Sequence, residues 1–290
     1  MPSENDQKAE FQSESGSKNT WDQLLPSIRD LPLLFADMAA CVRFFSRIPL
    51  QAVNSHDNRS AVPDFRRIAC AAPLAGAFIA LPAAGIGMLL GFTQLPPLVV
   101  SVIVVFILVV TTGALHEDGL SDLADGFFGG STSEKRLEIM KDSRIGAFGA
   151  IALVLGILLR VALLSTLWQR FGPADGALLF LSSEVLSRAL MVWQWQSLRL
   201  ARPEGLAARF GKPDMQTVKQ ALIVMAILMV PAALMLSLSS LSLGLILASA
   251  IAFGTGQLAI QKIGGATGDV LGAIQQLSSL GFLLGLLMVP

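Results

Sequence analysis

Tyrosine is absent from this 290-residue chain, and histidine and cysteine occur only twice each. Two histidines, His56 and His116, are too few for a His-built zinc site or a histidine proton relay. Cys41 and Cys70 have neither metal-ligand spacing nor the numbers of a disulfide framework, so packing is their expected role. Without tyrosine, an interfacial aromatic belt would fall to Trp21, Trp168, Trp193 and Trp195. Charge is scarce as well. Only 14% of residues are charged and the formal net charge is zero, so no bulk electrostatic argument points to nucleic acid. What the chain does have is apolar mass: 53% hydrophobic residues and a mean hydropathy of +0.64. That is a membrane composition.

Residues 1–30 are polar and begin MPSENDQKAE, without the basic and apolar regions of a signal peptide, and read as a mobile tail. Residues 31–290 read as a single integral-membrane domain. Its first part, 31–50, carries Asp37, Arg43 and Arg47 among apolar residues and suits an interfacial helix. Stretches long enough to cross a bilayer then fall near 68–92, 98–115, 147–169, 177–198, 218–238, 242–260 and 270–289. The expected fold is an all-α, polytopic transmembrane bundle of about seven spans. Pro73 and Pro82 would kink the first span and Pro231 the fifth. Eighteen of the 21 Lys and Arg residues lie on one side of this arrangement. The positive-inside rule makes that side, with the N-terminus, cytoplasmic.

Chemistry concentrates in one segment, the cytoplasmic loop 116–146 and its immediate continuation. Seven of the 21 acidic residues lie between Glu117 and Asp142. Asp118, Asp122 and Asp125 stand at i, i+4 and i+7, which on a helix is one stripe about 60° wide. Carboxylates about 6 Å apart repel by roughly 3 kcal/mol per pair at an effective dielectric near 20. Mg²⁺ would resolve the conflict, because it takes oxygen ligands from a few carboxylates together with substrate phosphates. Gly129 and Gly130 allow close backbone approach, and Arg136, Lys141 and Arg144 supply cations for phosphate. Acids, glycines and cations in this order point to phosphoryl transfer rather than to a merely solvated loop.

Secondary candidates lie elsewhere. GGATGDVLGA, from Gly264, offers Thr267 and Asp269 to the same polar site, or a small-residue packing surface through Gly268 and Gly272. Arg188, four residues after Glu184 within a span, either touches phosphate or neutralises Glu184. Arg160 has no evident partner. His116 is either a base or ligand, or a hydrogen-bonded residue at a span end. The basic stretch 199–219 suits an anionic nucleotide or the anionic inner leaflet.

The run HEDGLSDLADGFFGG…RLEIMKDSRIGAFG, with FFSRIPL before it and GGATGDVLGA after it, resembles the cobalamin synthase (adenosylcobinamide-GDP ribazoletransferase) family. The likeness covers roughly residues 35–290. It implies a multi-pass enzyme of the bacterial cytoplasmic (inner) membrane, with its active site facing the cytoplasm. The implied reaction moves cobinamide phosphate from adenosylcobinamide-GDP to the ribose of α-ribazole or its 5′-phosphate, with Mg²⁺ required and GMP released. Asp118, Asp122 and Asp125 are then the expected metal ligands. Asp118, Asp122, Asp125, Asp142 and His116 are the expected catalytic groups. Arg136, Lys141, Arg144, Arg188, Gly129, Gly130, Thr267 and Asp269 are the expected substrate contacts. The family usually has leucine where this chain has Glu117, and glutamates where it has Gln276 and Ser279, so Glu117 reads as an extra, inessential acid. A homo-oligomer, or association with other cobalamin-assembly enzymes, stays open. So do two rival functions: a CDP-alcohol-type phospholipid phosphotransferase and an ion-coupled secondary transporter. The first would want an arginine after Asp-Gly-Ala, and the second an internal repeat; neither is evident.

Overall fold

A computed structural model describes residues 31–202 and 204–289, apart from the side chain of Leu206. The polar tail expected over residues 1–30 lies outside the described residues. The chain is all-helical, as expected; among the described residues the nearest thing to a strand is one isolated bridge between Leu200 and Ala266. The helices are α1 (Leu31–Phe45), α2 (Phe65–Ile68), α3 (Ala72–Gly91), α4 (Pro97–Thr112), α5 (Leu115–Gly129), α6 (Ser133–Ile139), α7 (Ala147–Ser197), α8 (Leu206–Arg209), α9 (Met215–Leu228), α10 (Val230–Met235), α11 (Leu238–Ile263) and α12 (Gly268–Leu287).

Among the described residues, four helical stretches are long and apolar enough to cross a membrane: 65–91, α7, α11 and α12. The number becomes five if α4 and α5 together form one bent span. α7 itself is two legs, because Gly172 takes non-helical angles (φ 77°, ψ 179°) and Pro173 follows it. An ion pair between Arg160 and Glu184 lies across that bend, so the legs fold against each other. α12 sits innermost: 83% of its most apolar window is buried, against 22% for α7. Outward-facing Leu89, Phe106, Leu155, Leu158, Ile246 and Phe253 are exposed, as lipid-facing side chains would be.

The prolines act differently from their expected kinks. Pro73 and Pro231 stand in the first turns of α3 and α10, where a missing N–H is harmless. Of these three, only Pro82 lies inside a helix. The interfacial helix expected over 31–50 runs Leu31–Phe45 and turns Asp37 inward to an ion pair with Arg67 at 3.0 Å. Among the described residues the tryptophans form no belt, and Trp21 lies outside those residues. Trp168 and Trp195 are buried, with Trp168 packed into space left by Gly87 and Gly176.

One corner positions the site. Gly113 (φ 65°) and Ala114 (φ 60°) both take left-handed angles, and α5 leaves α4 at 89°. Left-handed backbone is costly for alanine, so this corner is held by its surroundings. Arg47 packs on Gly113, and its N–H donates to the Thr111 carbonyl at 2.7 Å. The segment expected as a loop over 116–146 is therefore mostly two helices, α5 and α6, with short connections. Leu120, Leu123 and Phe127 give α5 an apolar buried side that a solvated loop would not need.

Candidate active site

α5 is nearly submerged in protein. His116, Glu117, Gly119, Leu120, Ser121 and Leu123 through Phe127 are all buried. Asp118 is exposed and Asp122 half-buried, and these two acids hold its open side. Against them packs the start of α12. A Cβ on Gly119 would stand 2.9 Å from the Asp269 carbonyl oxygen, and one on Gly272 would stand 3.7 Å from the Gly119 Cα. Glycine on both helices lets the backbones nearly touch. The close crossing brings Asp269 alongside Asp118 and Asp122. Thr267 caps α12, its hydroxyl accepting from the Val270 N–H and donating to Asp269 at 3.2 Å. Gly272 thus packs helices, while Gly268 meets open space.

Burial, and then the neighbouring Asp118, Asp269 and Asp125 carboxylates, push the Asp122 carboxyl up to about 7. This is the charge conflict that the spacing predicted, with Asp269 as a further member. Crowded acids beside open space suit a divalent cation completed by phosphate oxygens and water. Among the described residues no three acids, histidines or cysteines already converge as a ligand cage.

Asp125 explains part of that, because it has another task. Its carboxylate accepts from the N–H groups of Gly146 (2.7 Å) and Gly149 (2.8 Å) and so caps the N-terminus of α7. A Cβ at either glycine would fall within 2.4 Å of that carboxylate. The conspicuous glycines in SRIGAFG make room for a cap. Asp142 also departs from its expected catalytic role. It forms an exposed pair with Arg144, whose hydrogen bonds hold its carboxyl down to about 2, far too acidic for a base at neutral pH.

The expected substrate contacts divide in the same way. A Cβ on Gly130 would meet the Arg136 backbone at 2.9 Å, so Gly130 seats α6. Arg136 donates to the Lys262 carbonyl at 3.1 Å and fastens α6 to the end of α11. Gly129 is exposed, and among the described residues only Ile139 is near it. Arg144 is engaged by Asp142. Lys141 lines an open groove with Arg202, Glu204 and Gly205. Arg202 was visible in the sequence only as one of several charges in 199–219. It donates to the Leu137 carbonyl, and its charge is felt by Asp269.

Arg188 is wholly buried and cannot reach a phosphate in solvent. It and Arg160 both bind Glu184, at 2.7 and 2.9 Å. Gln275 and Ser279 donate to the same carboxylate at 3.1 Å. Gln276 accepts from Arg160 at 2.7 Å and donates to Glu117 at 2.8 Å. The two positions that depart from the family pattern, Gln276 and Ser279, are thus members of one buried network. Glu117 belongs to it too, so it is structural rather than superfluous.

A cavity of about 200 Å³ opens beside the acids, lined by Phe44, Phe45, His116, Asp118, Met191, Trp195, Phe210 and Asp269 among others. His116 is buried, its ring 5.9 Å from that of Phe45 and nearly parallel to it. The aromatic residues were not legible as a group, because α1, α7 and the turn after α8 bring them together from distant parts of the chain.

A family model described as cobalamin-5-phosphate synthase matches residues 37–287. A protein of Brucella anthropi named adenosylcobinamide-GDP ribazoletransferase is 42% identical over 259 residues, covering 88% of this chain and 97% of its own. One of Azorhizobium caulinodans with the same name is 44% identical over 265 residues, covering 88% and 96%. No solved structure matches.

Proposed function

This chain belongs to the cobalamin-5-phosphate synthase family, and from that premise we propose that it is an adenosylcobinamide-GDP ribazoletransferase. The observation that carries the reading is the meeting of Asp118, Asp122 and Asp269 beside an aromatic cavity, with Lys141 and Arg202 lining the neighbouring groove. An acceptor hydroxyl attacks the phosphorus that carries the cobinamide. The new P–O bond replaces the bond to GMP, and the hydroxyl proton leaves to a nearby carboxylate. Asp118 lines the cavity and is exposed, which makes it the best placed acceptor of that proton. Arg202 and Lys141 offset the charge of the phosphates and the departing GMP.

Asp118 and Asp122, with Asp269 beside them, are the residues that would hold Mg²⁺. When bound, the ion would neutralise phosphate charge and orient the diphosphate. We place the site on the cytoplasmic face of a bacterial inner membrane, because Lys135, Arg136, Lys141, Arg144, Arg199, Arg202 and Arg209 lie in the two stretches of chain, 116–146 and 199–219, that contribute residues to it.

The test is GMP release by the purified chain in lipid, supplied with adenosylcobinamide-GDP and α-ribazole 5′-phosphate. Release coupled to cobalamin formation is expected, lost with EDTA and restored by added Mg²⁺. Asp122→Ala should lower the rate at least about a hundredfold, the scale of one lost electrostatic partner. A folded wild-type protein that releases no GMP would overturn the assignment.

A further inference from the structure

We propose that the cavity beside Asp118 is the seat of the acceptor nucleoside's base: a planar, mostly apolar fused bicycle with one ring-nitrogen acceptor. The proposal rests on the function just given and adds where, and how, the acceptor is read. Size is the first argument. An apolar cavity of about 150 Å³ accepts a benzene ring. The cavity here, at about 200 Å³, suits the next larger flat ring system and excludes a corrin macrocycle.

The wall chemistry is the second argument. Phe44 meets Phe45 and Phe210 edge to face, each at 5.0 Å between centroids, while Phe65 packs behind on Trp195 at 4.9 Å. Such ring arrays favour an aromatic guest. A guanine would carry several polar edge atoms in among Phe44, Phe45, Met191 and Leu271, each costing free energy unless hydrogen-bonded. A benzimidazole-type base carries only one free ring nitrogen.

Unpartnered polar atoms are the third. Trp195 is 3% exposed and His116 2% exposed, both line the cavity, and the Trp195 Nε1 and His116 Nε2 have no hydrogen-bond partner among the described residues. Buried polar atoms of this kind are uncommon and call for an explanation. Both nitrogens are covered by their neighbours, so the indole must turn slightly in its seat as the guest enters; Trp Nε1 can only donate, and a ring-nitrogen lone pair is what it lacks. Finally, Asp118 and Asp269 line the same cavity. A base seated among the rings leaves its ribose at the carboxylates, where the attacking hydroxyl must lie.

Calorimetry on the full chain in lipid nanodiscs would compare benzimidazole with indole, which has the same shape but no ring-nitrogen acceptor. Wild type should bind benzimidazole about tenfold more tightly, the scale of one hydrogen bond. Trp195→Phe should erase that preference, and Leu271→Trp, which fills the cavity, should abolish binding of both. In turnover, Trp195→Phe should raise KM for the acceptor about tenfold and leave KM for the GDP-linked donor unchanged. Equal binding of both probes by wild type, or a donor KM that rises in place of the acceptor's, would overturn the proposal. Benzimidazole selectivity in a protein that releases no GMP would support this site while sinking the assigned reaction. Normal turnover without selectivity would do the reverse.

Discussion

Gly119 has no side chain because Asp269 occupies the space one would need. Gly119→Ala would place a methyl 2.9 Å from a backbone oxygen that cannot rotate away. The helices must part, at about 1–3 kcal/mol, and the Asp118–Asp269 spacing must widen. Turnover should fall by about tenfold or more while the chain remains folded, as GMP release and thermal unfolding together would record. The aspartates separate by a paired measurement. Asp125→Ala should lower stability by about 1–2 kcal/mol, the worth of a helix cap, which is a melting shift of a few degrees. Asp122→Ala should leave the melting temperature near that of wild type and remove activity. Spacing alone made Asp118, Asp122 and Asp125 equivalent, since all three lie on one stripe. What distinguishes them is the chain that approaches from elsewhere, Gly146 and Gly149 for Asp125 and Asp269 for the other two. That information is tertiary, and no periodicity within residues 116–125 could hold it.

At the scale of elements, the helices themselves were the most legible part, because long apolar runs in a bilayer protein have few alternatives. The joints were less so. The corner at Gly113–Ala114 depends on a left-handed alanine, which no propensity would suggest, and the bend of α7 depends on one glycine before a proline. Arg160 looked partnerless because its partner lies on the other side of that bend. The Glu184 network joins the two legs of α7 to α12, and through Gln276 to Glu117 on α5. Glu184→Gln leaves two buried guanidinium groups without their counter-charge and should cost about 3–5 kcal/mol. Unfolding in detergent would measure this. A loss below about 1 kcal/mol would show that the network contributes little to stability.

For the molecule as a whole, the site lies where one innermost helix begins. α12 packs against both α7 and α5, and its capped N-terminus carries Asp269 into the polar cluster. A reactive centre built on helix crossings is held more rigidly than one carried by a loop. The acidic segment invited a different reading, a cytoplasmic loop, because its charges were counted without the buried apolar side beneath them. The bend at Gly172 has a consequence for how the protein is made. Arg160 and Glu184 are brought together by a turn local to one hairpin. An arginine entering a bilayer alone costs about 2.5–3.5 kcal/mol at mid-helix on insertion scales, but a hairpin that carries its own counter-ion enters closer to neutral. Glu184→Gln should therefore reduce the fraction of newly synthesised chain that reaches the membrane, and a double Arg160→Gln, Glu184→Gln variant should recover part of it.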